Sequence, residues 1–207
     1  MTATAHLGLA LDGAAIDGPL YADVTDFARH TRWLNAAVFA YTSYGVATFV
    51  ILMLIGWWYA RHRDSRTMAA SLASPIAMVL AYAVNSGFKN ALHEPRPCRA
   101  MPQSFRIEAC PPMNDWSFPS NHTTVAFAAT AALFLVDRRL GFVSLLAALL
   151  MAGSRVYVGA HYPHDVVAAA VMGTATGLLT ALMLRRLGTA SVDRVRSTRT
   201  LGPLLTG

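Results

Sequence analysis

Apolar positions in this chain run together rather than alternate. Four long stretches, 34–60, 67–92, 140–158 and 166–184, come close to or exceed the about 20 residues a helix needs to cross a bilayer core. A fifth, 121–136, is shorter, alanine-rich and clearly apolar. Ahead of them, "YADVTDFARHTRW" (21–33) has the mixed character of a helix lying along a membrane interface. The pattern predicts an all-α, polytopic membrane helix bundle: five transmembrane helices plus an N-terminal interfacial helix, one domain over 1–186. The remaining 187–207 reads as a basic tail, solvated and poorly ordered. The first twenty residues do not read as a signal peptide, because no basic segment precedes "HLGLALDGAAI" and Asp12 interrupts it.

Composition agrees with lipid as the solvent. Charged residues make up 14% of the 207, against about 25% in a soluble domain. The net charge of +6 raises the question of nucleic acid, but no basic stripe with interleaved aromatics supports such a partner. Instead, the arginines cluster between apolar runs. Ten of them (61, 63, 66, 138, 139, 185, 186, 194, 196 and 199) fall on one side of a five-span chain, which makes that side, and the C-terminus, cytoplasmic. Trp57, Trp58 and Tyr59 form an aromatic belt beside the first cluster.

Seven basic residues remain on the outer side, and they need a reason. Arg155 sits inside an otherwise lipid-compatible run, where a charge is costly and points to function. Lys89 is the only lysine in the chain; it stands in the last turns before Pro95 and Pro97 end the second span, with Arg96 just beyond. In "SFPSNHTT", Pro119 breaks the chain, Ser120 is placed as an N-cap, and Asn121 and His122 open the third span. A helix start of this kind presents free N–H groups to an anion. In "SRVYVGAHYPHDVV", Pro163 suits the first position of the fifth span and puts Asp165 in its first turn. That carboxylate can hydrogen-bond one ring nitrogen of His161 and leave the other free to attack, while His164 reads as an interfacial bystander. Taken singly, each stretch has a plain reading as a snorkelling lysine, an ordinary cap or an interfacial loop. Together, on one face, they describe a phosphate site with a compact ammonium and two planar guanidinium forks.

These three stretches, Lys-x6-Arg-Pro (Lys89, Arg96, Pro97), Pro-Ser-x-His (119–122) and Ser-Arg-x5-His-x3-Asp (Ser154, Arg155, His161, Asp165), resemble the signature motifs of the type 2 phosphatidic acid phosphatase superfamily. The resemblance implies an all-helical, metal-independent phosphatase that works through a phosphohistidine and needs no cofactor. It implies His161 as nucleophile, Asp165 as its orienter and His122 as the acid for the leaving group. Lys89, Arg96, Arg155, Ser120 and the backbone N–H of Asn121 then hold the phosphoryl oxygens. Asn121 stands where many members have glycine, so its side chain is expected to point towards the phosphate or leaving group. A polar residue there, with the outward-facing five-span plan, is similar to bacterial undecaprenyl-diphosphate phosphatases of the bacitracin-resistance type. Phosphatidic acid, phosphatidylglycerophosphate or a soluble sugar phosphate are the alternative substrates.

Two rivals come from other classes. A metal hydrolase built on His161, His164, Asp165 and His93 is disfavoured by three nearby cations. An anionic-lipid transporter is disfavoured by the lack of an inverted repeat. Cys98 and Cys110, the only cysteines, share the outer loop; a bridge between them is the simplest pairing, with two reduced thiols the alternative. Gly173 and Gly177 form a small-residue face for packing within the chain or, second, for a homodimer.

Overall fold

In the computed structural model, which describes residues 12–206, helix ends fall where capping side chains and prolines put them. The first helix, α1 (Gly13–His30), is kinked at Asp17, two residues before Pro19. α2 (Arg32–Tyr44) and α3 (Val46–Ala60) follow. α4 (Ser65–Leu92) starts where the Asp64 carboxylate accepts from Thr67 N at 2.8 Å, and stops at His93, which takes a left-handed φ of 48° just before Pro95. A short α5 (Pro97–Ala100) and a long loop lead to α6 (Asn121–Phe134). Asp137 caps α7 (Arg138–Tyr157) through the N–H groups of Arg139 and Leu140. α8 (Pro163–Arg196) opens on a proline, and α9 (Gly202–Leu205) closes the described chain. No strand occurs among the described residues.

The span count differs from the sequence reading. Three helical stretches, Ser65–Ala100, Arg138–Tyr157 and Pro163–Arg196, are long and apolar enough to cross a membrane. A fourth span exists if α2 and α3, bent by 55°, count as one. The break in 34–60 lies at Gly45, where a side chain would meet the Tyr41 carbonyl oxygen and Met151. The expected span at 121–136 is a helix of 14 residues, about 21 Å long at about 1.5 Å per residue and short of a bilayer core. Its direction is nonetheless that of a span. Thr124, Ala128 and Ala132 meet Gly173, Gly177 and Ala181 in rising order, so α6 runs parallel to α8. Asn85 meets Thr124 while Ala73 and Ala77 meet Ala132, so α6 is antiparallel to α4.

Small side chains make α6 the bundle axis. Ala126, Ala128, Ala129 and Ala132 are fully buried, and α4, α7 and α8 close around them. A Cβ at Gly173 or Gly177 would strike the α6 backbone at Thr124 and Ala128, so this face packs within the chain. The outside of the bundle is apolar. Leu146, Leu150, Val171 and Leu179 are 65 to 69% exposed, a pattern that water does not favour and lipid does.

Both ends of the chain depart from the sequence reading. The interfacial helix begins at Gly13 rather than 21, and the signal-peptide reading falls mostly outside the described residues. The basic tail is structured through its first half, since α8 continues to Arg196. Arg196 donates to the carbonyls of Ala60, Arg63 and Leu205, and Arg61 to those of Pro203 and Thr206. These contacts fold the tail back against the α3–α4 turn.

Candidate active site

The end of the bundle where α4 finishes and α6 and α8 begin gathers the three sequence motifs. Lys89 sits one turn before the end of α4, Arg96 just past the His93 stop, Ser120 at the head of α6, and Arg155 in the last turn of α7. His161 lies in the turn between α7 and α8, held by its own N–H and that of Ala160 donating to the Arg155 carbonyl. Gly159, with φ of 80°, makes this turn possible. All three cations are buried, with side chains 7, 6 and 4% exposed for Lys89, Arg96 and Arg155.

The imidazole of His161 is fixed from both sides. Arg96 Nη1 lies 2.9 Å from Nε2, and Asp165 Oδ2 lies 3.0 Å from Nδ1. A guanidinium can only donate, so Nε2 is the acceptor and the ring proton rests on Nδ1, facing the carboxylate. Asp165 Oδ2 also accepts from Ser117 Oγ at 2.5 Å and from Tyr162 N at 2.9 Å. Burial, followed by the positive charges of Arg96, Arg155 and Lys89, holds His161 well below its ordinary value of 6.5. The ring is therefore neutral near pH 7, with a lone pair aimed at the cations. What the arrangement can do is attack an electrophile that those cations hold.

Two loop carboxylates meet the cations. Asp115 Oδ1 accepts from Lys89 Nζ at 3.0 Å and from Arg96 Nη2 at 2.8 Å. Glu108 accepts from both terminal nitrogens of Arg155, at 2.7 and 3.0 Å. Burial pushes the Asp115 carboxyl up, but hydrogen bonds and charge from Arg96 and Lys89 outweigh it and keep the group below the usual carboxylate range. Arg155 Nη1 also donates to Thr42 Oγ1, while its buried Nε has no acceptor among the described residues. The Cys98–Cys110 disulfide, with Cα atoms 5.8 Å apart, ties the same loop back to α5. The loop is pinned to the site where Ile107 N and Glu108 N both donate to the Val158 carbonyl.

Several placements differ from expectation. The Asn121 side chain does not point at the cations, because its Oδ1 accepts from Asn85 Nδ2 on α4 at 2.5 Å. Ser120 occupies the N-cap position without a side-chain cap bond. Its Oγ accepts from Thr123 Oγ1, and its own hydroxyl proton has no acceptor among the described residues. His122 makes no side-chain bond among the described residues; with Asn121 it lines an apolar crevice of about 330 Å³ between Val46, Met78, Tyr82 and Val125. His164 is no bystander. Its ring nitrogens face Asp17 Oδ1 at 2.8 Å and the buried Glu94 Oε1 at 3.0 Å, which ties α1 to the head of α8. Glu94, His164 and Asp165 lie close enough together to offer ligands to one ion, but both His164 nitrogens are already engaged. His93, the other member of the rival metal set, packs edge-on against Trp116. Asn85, Glu94, Glu108, Asp115 and Ser117 are the site residues that sequence analysis missed. An isolated polar residue in an apolar run is the signal that could have found Asn85; the loop residues carry no such signal.

The model of the PAP2 superfamily matches residues 70–188, more than half of the chain. The chain belongs to the PAP2 superfamily. Among its relatives, undecaprenyl-diphosphatase BcrC of Bacillus subtilis (strain 168) is 27% identical over 161 residues, 77% of this chain and 80% of that one. A crystal structure of Aquifex aeolicus LpxE superposes with a TM-score of 0.62 at 23% identity, covering 84% of this chain and 99% of the other. A transmembrane PAP2-type phosphatidylglycerolphosphate phosphatase from Bacillus subtilis gives 0.57 at 21%, covering 91 and 92%. This PAP2 protein is thus a membrane phosphatase of lipid phosphates, and its all-helical bundle is the fold of those two structures.

Proposed function

We propose that this PAP2 phosphatase converts undecaprenyl diphosphate to undecaprenyl phosphate and inorganic phosphate through a phosphohistidine at His161. The observation that carries the mechanism is the pair of contacts on the imidazole: Asp165 on Nδ1 and the phosphate-gripping Arg96 guanidinium on Nε2. In the proposed cycle, Lys89, Arg96 and Arg155 grip the terminal phosphoryl group, and the Ser120 hydroxyl and the free α6 N–H groups complete its cradle. His161 Nε2 forms a bond to phosphorus while the bridging P–O bond breaks, and His122 gives a proton to the departing phosphate. Water then cleaves the N–P bond, with His122 taking up the proton it lost. No step calls for a metal.

The substrate half of the reading rests on the BcrC relative and on the apolar crevice that His122 lines. A prenyl chain lying there would bring its diphosphate to the acid. The active site is assigned to the extracytoplasmic face because ten arginines gather at the other end of the bundle. The Gly173–Gly177 face is taken up by α6, so packing within the chain, the first of its two expected roles, is the one proposed for it.

A product assay on purified protein tests the substrate. Undecaprenyl diphosphate should exceed phosphatidic acid in kcat/KM, because phosphate leaves more readily than an alkoxide. For the same reason His122→Ala should harm phosphatidic acid hydrolysis more. Equal efficiencies would favour a general lipid phosphatase. Acid-quench trapping of radioactive phosphate on His161, absent in His161→Ala, tests the intermediate; label on another residue would refute it.

A further inference from the structure

The cations of this site are not left open. Lys89 and Arg96 share one carboxylate oxygen of Asp115, and Arg155 is forked by both oxygens of Glu108. The cations are buried, whereas the Asp115 and Glu108 side chains are 40 and 30% exposed. The carboxylates therefore lie on the solvent side and cover the cations from the mouth. Both come from the single loop between α5 and α6, and that loop is fixed. The Cys98–Cys110 bridge closes its first part, Arg99 Nη2 donates to the Pro111 and Pro112 carbonyls, and Glu108 N donates to Val158 O.

We infer that Asp115 and Glu108 are specificity-determining residues, built-in anions that occupy the phosphoryl position and admit only a ligand of higher charge. A membrane phosphatase works among phosphodiester headgroups that vastly outnumber its substrate. A phosphodiester offers one charge and two free oxygens, no more than the carboxylate already seated on the same donors. Exchanging one for the other gains nothing electrostatically and gives up loop contacts. A terminal phosphoryl group carries up to two charges on three oxygens, which matches the two carboxylates together, and it can add a bond to Arg155 Nε, which has no acceptor among the described residues. Once displaced, the carboxylates regain water at the mouth, so the exchange leaves no buried unpaired charge. The sequence pattern alone does not reveal this, because lone acids in a long loop have no periodicity. It rests on the phosphatase reading only for the identity of the incoming anion.

The test is binding, not turnover. Inorganic phosphate and dimethyl phosphate, one able to carry two charges and one limited to a single charge, are titrated into the full-length protein in detergent at pH 8 by calorimetry. Wild type should bind phosphate at least tenfold more tightly than dimethyl phosphate. In Asp115→Asn, and more so in Asp115→Asn/Glu108→Gln, both ligands should bind more tightly. Dimethyl phosphate should gain at least tenfold, so that the ratio narrows. Asp115→Asn alone, an isosteric change in a half-exposed loop, carries the same expectation if the double variant does not fold. An unchanged ratio overturns the inference, and so does weaker binding of both anions, the signature of carboxylates that merely brace the cations. A narrowed ratio in a protein that hydrolyses no lipid phosphate would sustain this inference while refuting the proposed function.

Discussion

Replacing Asp165 with asparagine removes one charge and almost nothing else. Asp165 Oδ2 receives Ser117 Oγ, Tyr162 N and His161 Nδ1 at 2.5, 2.9 and 3.0 Å. An amide oxygen can take the same point and keep the ring proton on Nδ1. What disappears is the counter-charge for the ring, which in the proposed mechanism becomes cationic as Nε2 bonds to phosphorus. Two unit charges about 4 Å apart interact by about 4 kcal/mol at an effective dielectric near 20, and a hydrogen bond to a charged group contributes about 1.5–3 kcal/mol. A loss of about 3–4 kcal/mol, at about 1.4 kcal/mol per tenfold, is a fall in kcat of roughly two to three orders of magnitude.

The split between kcat and KM carries the diagnosis. Asp165 touches no cation of the site, and its negative charge opposes an incoming anion. KM should therefore stay level or fall. Steady-state phosphate release from a lipid diphosphate in mixed micelles gives both constants, and rapid quench shows whether phosphoenzyme formation is the slowed step. Activity within about fivefold of wild type, or a loss confined to KM, would refute the assignment of Asp165 as the partner of a charged imidazole.

The other predictions follow from the same geometry. Because His161 is held well below 6.5, its ring should remain neutral as pH falls through that value, with nitrogen NMR of labelled histidine showing an unchanged Nδ1–H tautomer. The unfolded chain takes up a proton near 6.5 and the folded site does not, so His161 leaves stability unaffected above 6.5 and lowers it progressively below; protonation of His161 at or above 6.5 would contradict the burial argument. Gly177→Leu puts a side chain against the Ala128 carbonyl, an overpacking expected to cost about 1–3 kcal/mol or more, read as a lower unfolding temperature in detergent; unchanged stability would mean that this face has no packing role. Mass spectrometry of non-reduced peptides should find Cys98 linked to Cys110, and Cys98→Ser/Cys110→Ser should raise KM more than it lowers kcat; alkylatable thiols at both positions in native membranes would remove the bridge and weaken the assigned sidedness.

What the sequence makes legible here is chain punctuation and residue type. Pro95, Pro119 and Pro163 fix where three helices stop or start, and those ends are where Lys89, Arg96, Ser120 and His161 meet. Long apolar runs likewise announce α4, α7 and α8. Gly45 is not legible as a break, since a glycine in an apolar run has no signature until its neighbours are placed. The shortness of α6 is masked too: Leu135 and Val136 continue its apolar run beyond the helix end at Phe134. The partners of the cations are the largest omission. Asp115 and Glu108 stand 26 and 47 residues from Lys89 and Arg155 in sequence, in a loop without period, and only the folded chain brings them together.

The same reasoning changes the standing of α1. As an amphipathic segment it needs nothing more than an interface to lie on. Its kink, however, delivers Asp17 to the N–H and ring of His164, at 2.7 and 2.8 Å, and Tyr21 donates to the Gly159 carbonyl at 3.1 Å. Both contacts land on the segment that carries His161, one residue group before it and one after. Glu94, from the loop that carries Arg96, holds the far side of the same imidazole. Because interactions of this sort are weak singly and gain from being mutually braced, the helix that looks most dispensable in the sequence is tied to the His161 turn at two points. In the proposed mechanism its contribution is the position of that turn.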